Sequence, residues 1–508
     1  MLLFVFLFVQ RLALTILLKV VISATVLAQK QADNWLFGER AGLTFENGSP
    51  VPLYDSKLIA YGASAVISDP GTGELLFYCN GERVWDRNHE VMPNGSGLYG
   101  SNMSTNSAYI VPVPGNEYRY YLFTVLKATY DPVLAGARVY YSIVDMTLNG
   151  GLGDVIADQK NILLAADVTE KIAAIPHVDG LNYWLILHEA GNNHFLVYEI
   201  TEAGISSPVT YATGSVHRFD SDILATEMRG HMKASPDGKK IAVAVMHSRL
   251  TTNEEKPFEL FDFNAATGEI SGAISLGKYD TQYGVSFSPD SRKLYLQGVA
   301  TNDDAPYYGD YLYQFDLDAD DVYMSRTGLL IYNPFLDRED DFATGIGAFD
   351  LQLGPDGRLY GAGFPGPSYV GPRNTLFVIN APNEKGFACE VTIQRFDFRD
   401  GSVSLNLPNF IQSIFKDREP QGEQNTPCGQ SDFVVFPNPT TDQLTIKTIS
   451  RCARSYLLNM YDPLGRSIFS VLLSGAVNTI DLSPFSSGLY LLQIQSPSGT
   501  SVIKLIKN

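Results

Sequence analysis

Three stretches of the chain repeat one short pattern: KASPDGKKIAVAV (residues 233–245), SFSPDSRKLYLQG (286–298) and LQLGPDGRLYGAG (351–363). In each stretch, Pro presets φ for the second position of a tight turn, and Asp is tolerated at the third. In two of the three, Gly follows and supplies the positive φ with which the chain re-enters a strand. A short apolar strand comes next, so each stretch predicts two antiparallel strands joined by a turn.

Looser copies of this hairpin occur earlier in the chain, beginning at Ser68, Val113 and His177. A second type of hairpin follows each copy and reads apolar-aromatic-x-aromatic, a polar turn and another strand, as in LFDFNAATGEISGAI from Leu260. Two hairpins make four strands per repeat. Repeats of about 45–66 residues with four strands are typical of propeller blades, which stack because one sheet cannot bury both of its faces.

The repeats therefore predict an all-β fold, a β-propeller of seven blades, with six blades as the alternative. Six complete repeats run from Gly62 to Val391, and a seventh second-type hairpin, GLTFENGSPVPL, stands alone from Gly42. We expect its missing strand to come from the far end of the propeller, in VSLNLPNFIQSIF from Val403. Closure by distant chain removes the free edges of the ring.

The composition of the chain changes after the propeller, to which we assign residues 33–415. Residues 416–430, KDREPQGEQNTPCGQ, are polar and rich in turn-forming residues, which predicts a linker. Residues 431–508 contain a strand-turn-strand unit followed by further apolar strands. They predict a small C-terminal immunoglobulin-like β-sandwich as a separate domain.

The N-terminus has the pattern of a signal peptide, which we assign to residues 1–28. Arg11 and Lys19 precede an apolar run that ends in the small residues Val26 and Ala28, so we expect cleavage after Ala28. The alternative is a retained membrane anchor. Lys19 leaves too few residues before the cut to span a bilayer, and no transmembrane segment is predicted in the mature chain.

Charge and cysteine content narrow the classes of partner and site. The formal net charge is −18, although residues 432–508 carry a net +2. The rest of the chain is therefore acidic and repels phosphate backbones, so no nucleic acid partner is expected.

The four cysteines are Cys79, Cys389, Cys428 and Cys452. Four cysteines allow three complete pairings, of which we favour one that joins Cys389 to Cys428. The absence of CxxC gives no support to a zinc knuckle or redox pair.

The C-terminal residues closely resemble the sorting domain of the bacterial type IX secretion system, found in Bacteroidota. The matching stretches are FPNPTTDQLTI from Phe436, YDPLGR from Tyr461, IDLSPFSSGLYLLQI from Ile480 and the terminal KLIKN. The resemblance implies passage through the periplasm and export across the outer membrane by the type IX machinery. It also implies removal of the tail, with attachment to the cell surface or release.

The N-terminal part of the propeller region is similar to propeller domains that occur in the same chains as such sorting tails. The stretches that carry this similarity are NWLFGERAGLTF from Asn34 and GELLFYCNGERVWDRNHEVMPNGSGL from Gly73. The SPDG turns separately resemble those of TolB-like propeller repeats. This second resemblance is short, and it supports the fold without implying an activity.

Two motifs suggest metal sites, and each has a simpler interpretation. HEAGNNH from His188 resembles a helical zinc motif, but Asn192 stands where the second His is needed and the segment predicts strand-turn-strand. DLDADD from Asp316 resembles the start of a calcium loop, but Asp321 and Thr327 stand where such a loop needs Gly and Glu. We interpret the second motif as a solvated acidic turn, with a calcium site formed by the turn as the alternative. DREDD from Asp337 is interpreted as an exposed charge run.

No catalytic, cofactor-binding or metal-binding residue is assigned, because no GxSxG, P-loop or nucleotide-binding glycine pattern occurs in a suitable context. Packing in the core or at the rim is the default for the scattered histidines, and for the tryptophans core positions are favoured over exposed sugar-stacking ones. These residues are His177, His217, His231, His247, Trp35, Trp85 and Trp184. We therefore expect an exported propeller that binds a glycan, peptide or protein without catalysis. The competing hypothesis is a secreted hydrolase or lyase that acts on polysaccharide or peptide in the propeller funnel.

Overall fold

The computed structural model describes residues 30–127, 136–218, 226–246, 256–279, 282–300, 309–332, 347–364, 374–418, 433–448, 455–474, 477–496 and 499–508. The regular secondary structure of these residues is almost entirely antiparallel strand. The helical residues among them are confined to short 3-10 helices at Asn149–Gly151, Ala157–Gln159, Thr226–Met228, Gly386–Cys389 and Gln412–Phe415. Within these ranges, none of the helices has the length and apolar character needed to cross a membrane.

The first four blades of the fold are antiparallel sheets built in chain order. Blade 1 contains β1 (Asn34–Phe37), β2 (Ala41–Thr44) and β3 (Val51–Leu53). Blade 2 contains β4 (Ala65–Ser68), β5 (Leu75–Cys79), β6 (Arg83–Asp86) and β7 (Val91–Ser96). Blade 3 contains β8 (Ala108–Pro112), β9 (Arg119–Leu126), β10 (Ala137–Asp145), β11 (Asp154–Val155) and the first part of β12 (Ile162–Pro176). Blade 4 contains the rest of β12, β13 (Tyr183–Glu189), β14 (His194–Thr201), β15 (Gly204–Ile205) and β16 (Val209–Ala212).

The remaining three blades are regular four-stranded sheets. Blade 5 contains β17 (Met232–Ala234), β18 (Lys240–Val243), β19 (Lys256–Asn264) and β20 (Glu269–Tyr279). Blade 6 contains β21 (Val285–Phe287), β22 (Lys293–Ala300), β23 (Gly309–Asp316) and β24 (Thr327–Tyr332). Blade 7 contains β25 (Gly347–Leu353), β26 (Leu359–Phe364), β27 (Thr375–Ile379) and β28 (Val391–Arg395).

Strand β12 belongs to two blades. Up to Val168 it pairs with β10, and from Ile172 it pairs with β13. Near the end of the first part, Asp167 has a φ of 54°, which is in the left-handed region. The described strands therefore make seven blades, as the repeats predict.

The repeated turns have the geometry that their sequences predict. In the first, the Oγ of Ser235 donates to Oδ1 of Asp237 at 2.6 Å, and Gly238 has φ of 71°. In the second turn Ser291 takes the glycine position and still adopts φ of 62°. The turn therefore requires a positive φ at this position, and glycine meets that need without steric cost.

The antiparallel order of the strands separates two kinds of connection onto opposite faces of the ring. One face, the turn face, carries the SPDG-type turns between the first and second strands of each blade. The other face, the long-loop face, carries the connections between second and third strands and the connections between blades. In the sequence, the longer connections mainly join strand ends of this second face, for example those of β18 and β19 and those of β24 and β25.

Apolar side chains pack between neighbouring blades and also join the first blade to the last. The indole of Trp35 in blade 1 meets the ring of Tyr360 in blade 7 edge-on, with centroids 5.5 Å apart. Phe45 contacts the same ring at 5.7 Å. Trp85 and Trp184 are also buried, so all three tryptophans occupy core positions.

Residues 402–418, which we call the axial segment, run through the centre of the ring. Ser402 bridges to Glu39 and Arg40, and Asn409 forms a parallel bridge with Ala65 in the innermost strand of blade 2. The prediction of a continuous strand from Val403 is wrong. The axial segment forms only isolated β-bridges, and its residues 412–415 form a 3-10 helix. The segment nevertheless lies beside the first blade, as the expected closure requires.

The C-terminal strands form two packed antiparallel sheets. One contains β29 (Phe433–Phe436), β30 (Gln443–Thr448) and β33 (Val477–Asp481). The other contains β31 (Ser455–Tyr461), β32 (Ser467–Ser474), β34 (Gly488–Ser496) and β35 (Gly499–Lys507). Leu444 and Ile480 from the first sheet share one buried core with Leu458 and Ile494 from the second, which makes a β-sandwich.

Cys79 and Cys389 are free, buried thiols in this structure. The favoured bond from Cys389 is therefore not formed, and its suggested partner Cys428 lies outside the described residues, as does Cys452. Burial raises the pKa of each described thiol to about 12, because the thiolate would lose its hydration.

Candidate functional site

The axis of the propeller is lined by polar side chains that are almost completely shielded from solvent. The innermost strands and the residues just before them supply this set, which we call the axial cluster. Its members are Thr105, Asn106, Glu170, His231, Lys233, Asp350 and Gln352. Buried polar groups are stable only when they are hydrogen-bonded, so the partners of this cluster determine what it can do.

Lys233 and Asp350 form an ion pair across the axis. Nζ of Lys233 in blade 5 lies 3.1 Å from Oδ1 of Asp350 in blade 7, and it donates also to Oε1 of Gln352 at 3.1 Å and to the carbonyl of Leu351. Burial lowers the pKa of Lys233, and the carboxylate of Asp350 opposes that shift. Because blades 5 and 7 are not neighbours in the ring, this pair connects them only through the channel.

His231 lies beside this ion pair. Its Nε2 is 2.9 Å from Oδ1 of Asn406 and 3.4 Å from Oδ1 of Asp350, while its Nδ1 has no hydrogen-bond partner among the described residues. Burial, together with the nearby charge of Lys233, lowers the pKa of His231 to about 4, although Asp350 pulls in the other direction. The ring is therefore neutral near pH 7.

Glu170 is the second buried carboxylate of the axial cluster. Its Oε2 accepts hydrogen bonds from the backbone N–H of Thr105 at 2.7 Å and from the hydroxyl of Thr105 at 3.0 Å. The amide of Asn106 donates to the carbonyl of Glu170 at 2.9 Å. These bonds join blade 4 to the connection that leads into blade 3.

The axial segment supplies partners to further polar groups of the channel. The amide of Asn406 donates to the carbonyl of Tyr61 at 2.8 Å, and the backbone N–H of Leu407 donates to Oδ2 of Asp350 at 3.0 Å. The amide of Asn409 donates to the carbonyl of Ala108 at 2.9 Å. The channel is thus filled by the protein's own chain.

The HEAGNNH motif does not form a zinc site. His188 ends β13 and His194 begins β14, so the segment is strand-turn-strand, as its sequence predicts. Nδ1 of His194 lies 2.9 Å from Oε2 of Glu189, whereas His188 is buried and stacks on His217 with ring centroids 3.7 Å apart. The two histidines of the motif therefore serve different contacts.

The stacked pair belongs to a second buried polar group between blades 4 and 5. Burial lowers the pKa of His188 to about 3 and that of His217 below its usual range. Burial likewise lowers the pKa of Lys171 to about 7, and its Nζ donates to the backbone carbonyls of Glu227 and Arg229 at 3.1 and 2.7 Å. These contacts hold the inner strand of blade 4 against the chain that enters blade 5.

Two of the four aspartates in the acidic turn from Asp316 pair with basic side chains. Asp316 lies 3.2 Å from Nζ of Lys293 and 3.1 Å from Nζ of Lys385, and Asp318 pairs with Arg292. Among the residues that the structure describes, no three histidine, cysteine or acidic side chains are arranged to hold a metal ion. The DREDD run from Asp337 and His247 lie outside the described residues.

Sequence reasoning placed His217 and His231 in packed positions, and both are buried. His177 instead supports a turn, where its Nδ1 accepts from the backbone N–H of Asp179 at 3.1 Å. Neither Lys233 nor Asp350 was predicted from the sequence. The available signal was a charged residue within a short inner strand, in KASPDG and in FDLQLGPDG.

Residues 434–508 match the family described as the secretion system C-terminal sorting domain. This match agrees with the resemblance of the tail to type IX sorting domains. A tail of this kind is handled by the type IX secretion machinery and implies export to the cell surface or the extracellular space. None of the curated proteins is significantly similar to the chain.

Several solved structures are similar to the chain at low identity. A protein from Lactobacillus plantarum is 13% identical, with 82% of this chain and 98% of that chain covered and a TM-score of 0.36. The periplasmic gluconolactonase of Pseudomonas aeruginosa is 13% identical over 78% of this chain and 93% of its own, with a TM-score of 0.34. TolB from Acinetobacter baumannii is 14% identical over 71% and 68%, with a TM-score of 0.31. At these values the similarities do not specify an activity.

Proposed function

We propose that the chain is an exported propeller that binds its ligand on the long-loop face and is delivered by its type IX sorting tail. The observation that carries this proposal is the filled channel. Asn406 and Leu407 take the polar groups of His231 and Asp350 that a substrate in the funnel would need. This supports binding at a face of the ring over catalysis along its axis.

The sequence that joins the strand ends of that face is acidic. Seven segments of the chain join such strand ends, and they are residues 128–135, 219–225, 247–255, 280–281, 301–308, 333–346 and 365–373. Together they contain twelve Asp and Glu residues but only three Lys and Arg residues. Binding residues are commonly found on loops held by a rigid scaffold, and an acidic surface attracts cationic ligands. We therefore propose a basic peptide or protein segment as the ligand.

Both ends of the propeller leave from the opposite face. The backbone N–H of Lys30 donates to the carbonyl of Pro70 in a turn-face loop, and that of Asp417 donates to the carbonyl of Pro289 in another. A chain tethered to a surface through residues after 418 would therefore point its long-loop face outward. This geometry supports recognition of partners that approach from outside the cell.

Binding is tested with the full-length protein and a fluorescent oligolysine peptide, with oligoglutamate as the reverse probe. We expect oligolysine to bind, and to bind more weakly as salt increases, because the attraction between exposed charges is screened. Replacing Asp337, Glu339, Asp340 and Asp341 by their amides should weaken this binding. The matched control replaces Glu46, Glu117, Glu202 and Glu269 on the turn face by Gln and should leave it unchanged.

Three results would contradict the binding proposal: equal binding of both peptides, equal loss in both variants, or turnover of a polysaccharide or peptide substrate. Turnover would favour the hydrolase or lyase hypothesis.

Delivery by the sorting tail is tested separately by deletion of residues 431–508, which should leave the protein in the periplasm. Normal surface appearance of the shortened chain would contradict the role of the tail.

A further inference from the structure

The axial segment contacts every blade of the ring. In the first three blades, Ser402 contacts Glu39, Asn409 contacts Ser64 and Phe410 contacts Tyr109. The helix Gln412–Phe415 contacts β12 of blade 4, and Asn406 contacts His231 at blade 5. Asp417 contacts Pro289 at blade 6, and Leu407 contacts Asp350 in blade 7. A segment that touches all seven blades from the centre is placed to hold them together.

The first and last blades lack another backbone connection of this kind. All strands of blade 1 come from residues 34–53, and all strands of blade 7 come from residues 347–395. Within the described residues, therefore, no strand ladder joins the two ends of the ring. Side-chain packing at Trp35 and Tyr360 and the axial segment between the blades must supply the closure.

The axial segment contributes both apolar and polar contacts. Leu407, Phe410 and Phe415 are buried in the same core as Trp35 and Tyr360. Withdrawal of the segment would expose these side chains. It would also remove Asn406 from Nε2 of His231 and the N–H of Leu407 from Oδ2 of Asp350. An unpartnered buried polar group is unfavourable, so the channel is stable only when it is filled.

The approach of the segment to the first blade is too close for side chains. A Cβ added at Gly38 would lie 2.2 Å from the carbonyl oxygen of Ser402, and one at Gly401 would lie 2.8 Å from the carbonyl oxygen of Arg40. Glu39 and Ser402 exchange two backbone hydrogen bonds at 2.9 and 2.8 Å. These contacts fix the point at which the axial segment enters the ring.

We propose that the axial segment is a clasp that closes the propeller. The ring depends on it, and the segment stays in the channel without a covalent link on either side. Processing that removes the sorting tail is then expected after residue 418, where it leaves the whole axial segment in the channel. This inference does not depend on what the propeller binds.

The test uses the full-length chain with recognition sites for a specific protease inserted between Arg399 and Asp400 and between Glu423 and Gln424. After both cuts, native mass spectrometry and gel filtration should recover the peptide of residues 400–423 with the propeller. Release of the peptide together with unfolding would equally show that the ring depends on it. Release of the peptide from a propeller with unchanged circular dichroism and urea midpoint would overturn the proposal.

Point variants of the doubly cut protein measure the strength of the clasp. Asn406→Ala combined with Asn409→Ala should shorten retention of the peptide at least about tenfold, since two hydrogen bonds are lost at Asn406 and one at Asn409. Asn88→Ala is the matched control, because Asn88 is exposed on a turn. Equal retention in the two variants would contradict a polar contribution to the clasp.

A second measurement applies if the inserted sites prevent folding. In the uncut chain, the Asn406 and Asn409 double variant should increase amide hydrogen exchange at least about tenfold in the inner strands β4, β8 and β17 together. The outer strands β7 and β20 should change less. Faster exchange confined to the residues that contact the two asparagines would overturn the proposal, because a clasp couples separate blades.

Discussion

Nζ of Lys233 and Oδ1 of Asp350 lie 3.1 Å apart at the centre of the ring, and neither side chain is more than 5% exposed. The two residues belong to blades that are not neighbours. Their charges attract each other strongly because water is excluded, but both have lost their hydration. The intact pair therefore contributes little to the free energy of unfolding. The loss of one partner, however, leaves a buried charge uncompensated.

We expect Asp350→Ala to lower the free energy of unfolding by about 3–5 kcal/mol, because Lys233 and the N–H of Leu407 both lose an acceptor. Asp262→Ala is the control, since Asp262 pairs with Lys240 at 2.9 Å on the surface and should change stability by about 0–1 kcal/mol. Urea unfolding measures both. A change below about 1 kcal/mol for Asp350→Ala would show that water reaches the pair.

The buried histidines should make the fold less stable in acid. The pKa of His188 is lowered to about 3 in the folded protein, so between pH 6.5 and 3 the unfolded chain binds a proton that the folded chain does not. Stability from this group is present above pH 6.5 and is lost as the pH falls. His188→Phe removes the effect and should become relatively more stable, by up to about 1.4 kcal/mol per pH unit.

Urea unfolding of His188→Phe and of the unchanged protein at pH 7.5, 6.0 and 5.0 measures this difference. The comparison of two variants cancels groups that both share, including Asp33. Burial raises the pKa of Asp33 to about 6, so that carboxyl favours the folded state in acid and opposes the histidines. A difference in stability that does not change with pH would mean that His188 binds protons equally in the folded and the unfolded protein.

Gly361 in β26 should not tolerate a side chain. A Cβ at this position would lie 1.7 Å from Cζ of Phe377, whose ring is completely buried and has no room to move. We expect Gly361→Ala to destabilise the protein by about 1–3 kcal/mol through overpacking. Gly328→Ala, where the nearest atom is 3.9 Å away, is the matched strand control and should have little effect in the same thermal unfolding experiment.

The thiols of Cys79 and Cys389 should be unreactive in the folded protein. Both are buried and have a pKa of about 12, so thiolate is scarce at pH 8 and reagents cannot reach it. Iodoacetamide should therefore modify them only after denaturation, as read by mass spectrometry of the peptides. Rapid modification of either thiol under native conditions would show local opening of blade 2 or blade 7.

The blades were predictable because their signals are local. The SPDG-type turns, the alternation of two hairpins and the lone hairpin from Gly42 each lie within a few residues, and turn chemistry and strand patterning act over that range. Strand β12 was the harder case. Its two halves serve different blades and meet near one left-handed residue, Asp167, for which the sequence carries no distinctive mark.

The axial cluster was not predictable because its partners are distant in the chain. Lys233 and Asp350 are 117 residues apart, and the amide of Asn406 reaches a carbonyl 345 residues away at Tyr61. No spacing rule links such positions. The segment from Val403 was expected to be a strand because it is apolar and extended, but its backbone mostly meets side chains and isolated strand ends instead of a free sheet edge.

These distances along the chain also affect the order of folding. The hydroxyl of Tyr109 donates to the carbonyl of Phe410, 301 residues later, so this contact waits until nearly the whole propeller has been synthesised. Contacts that close such long loops form late and slowly, since the entropy of the intervening chain opposes them. A protein whose central contacts form last remains an open chain for longer, and an open chain is the form that can be threaded through a narrow translocation pore.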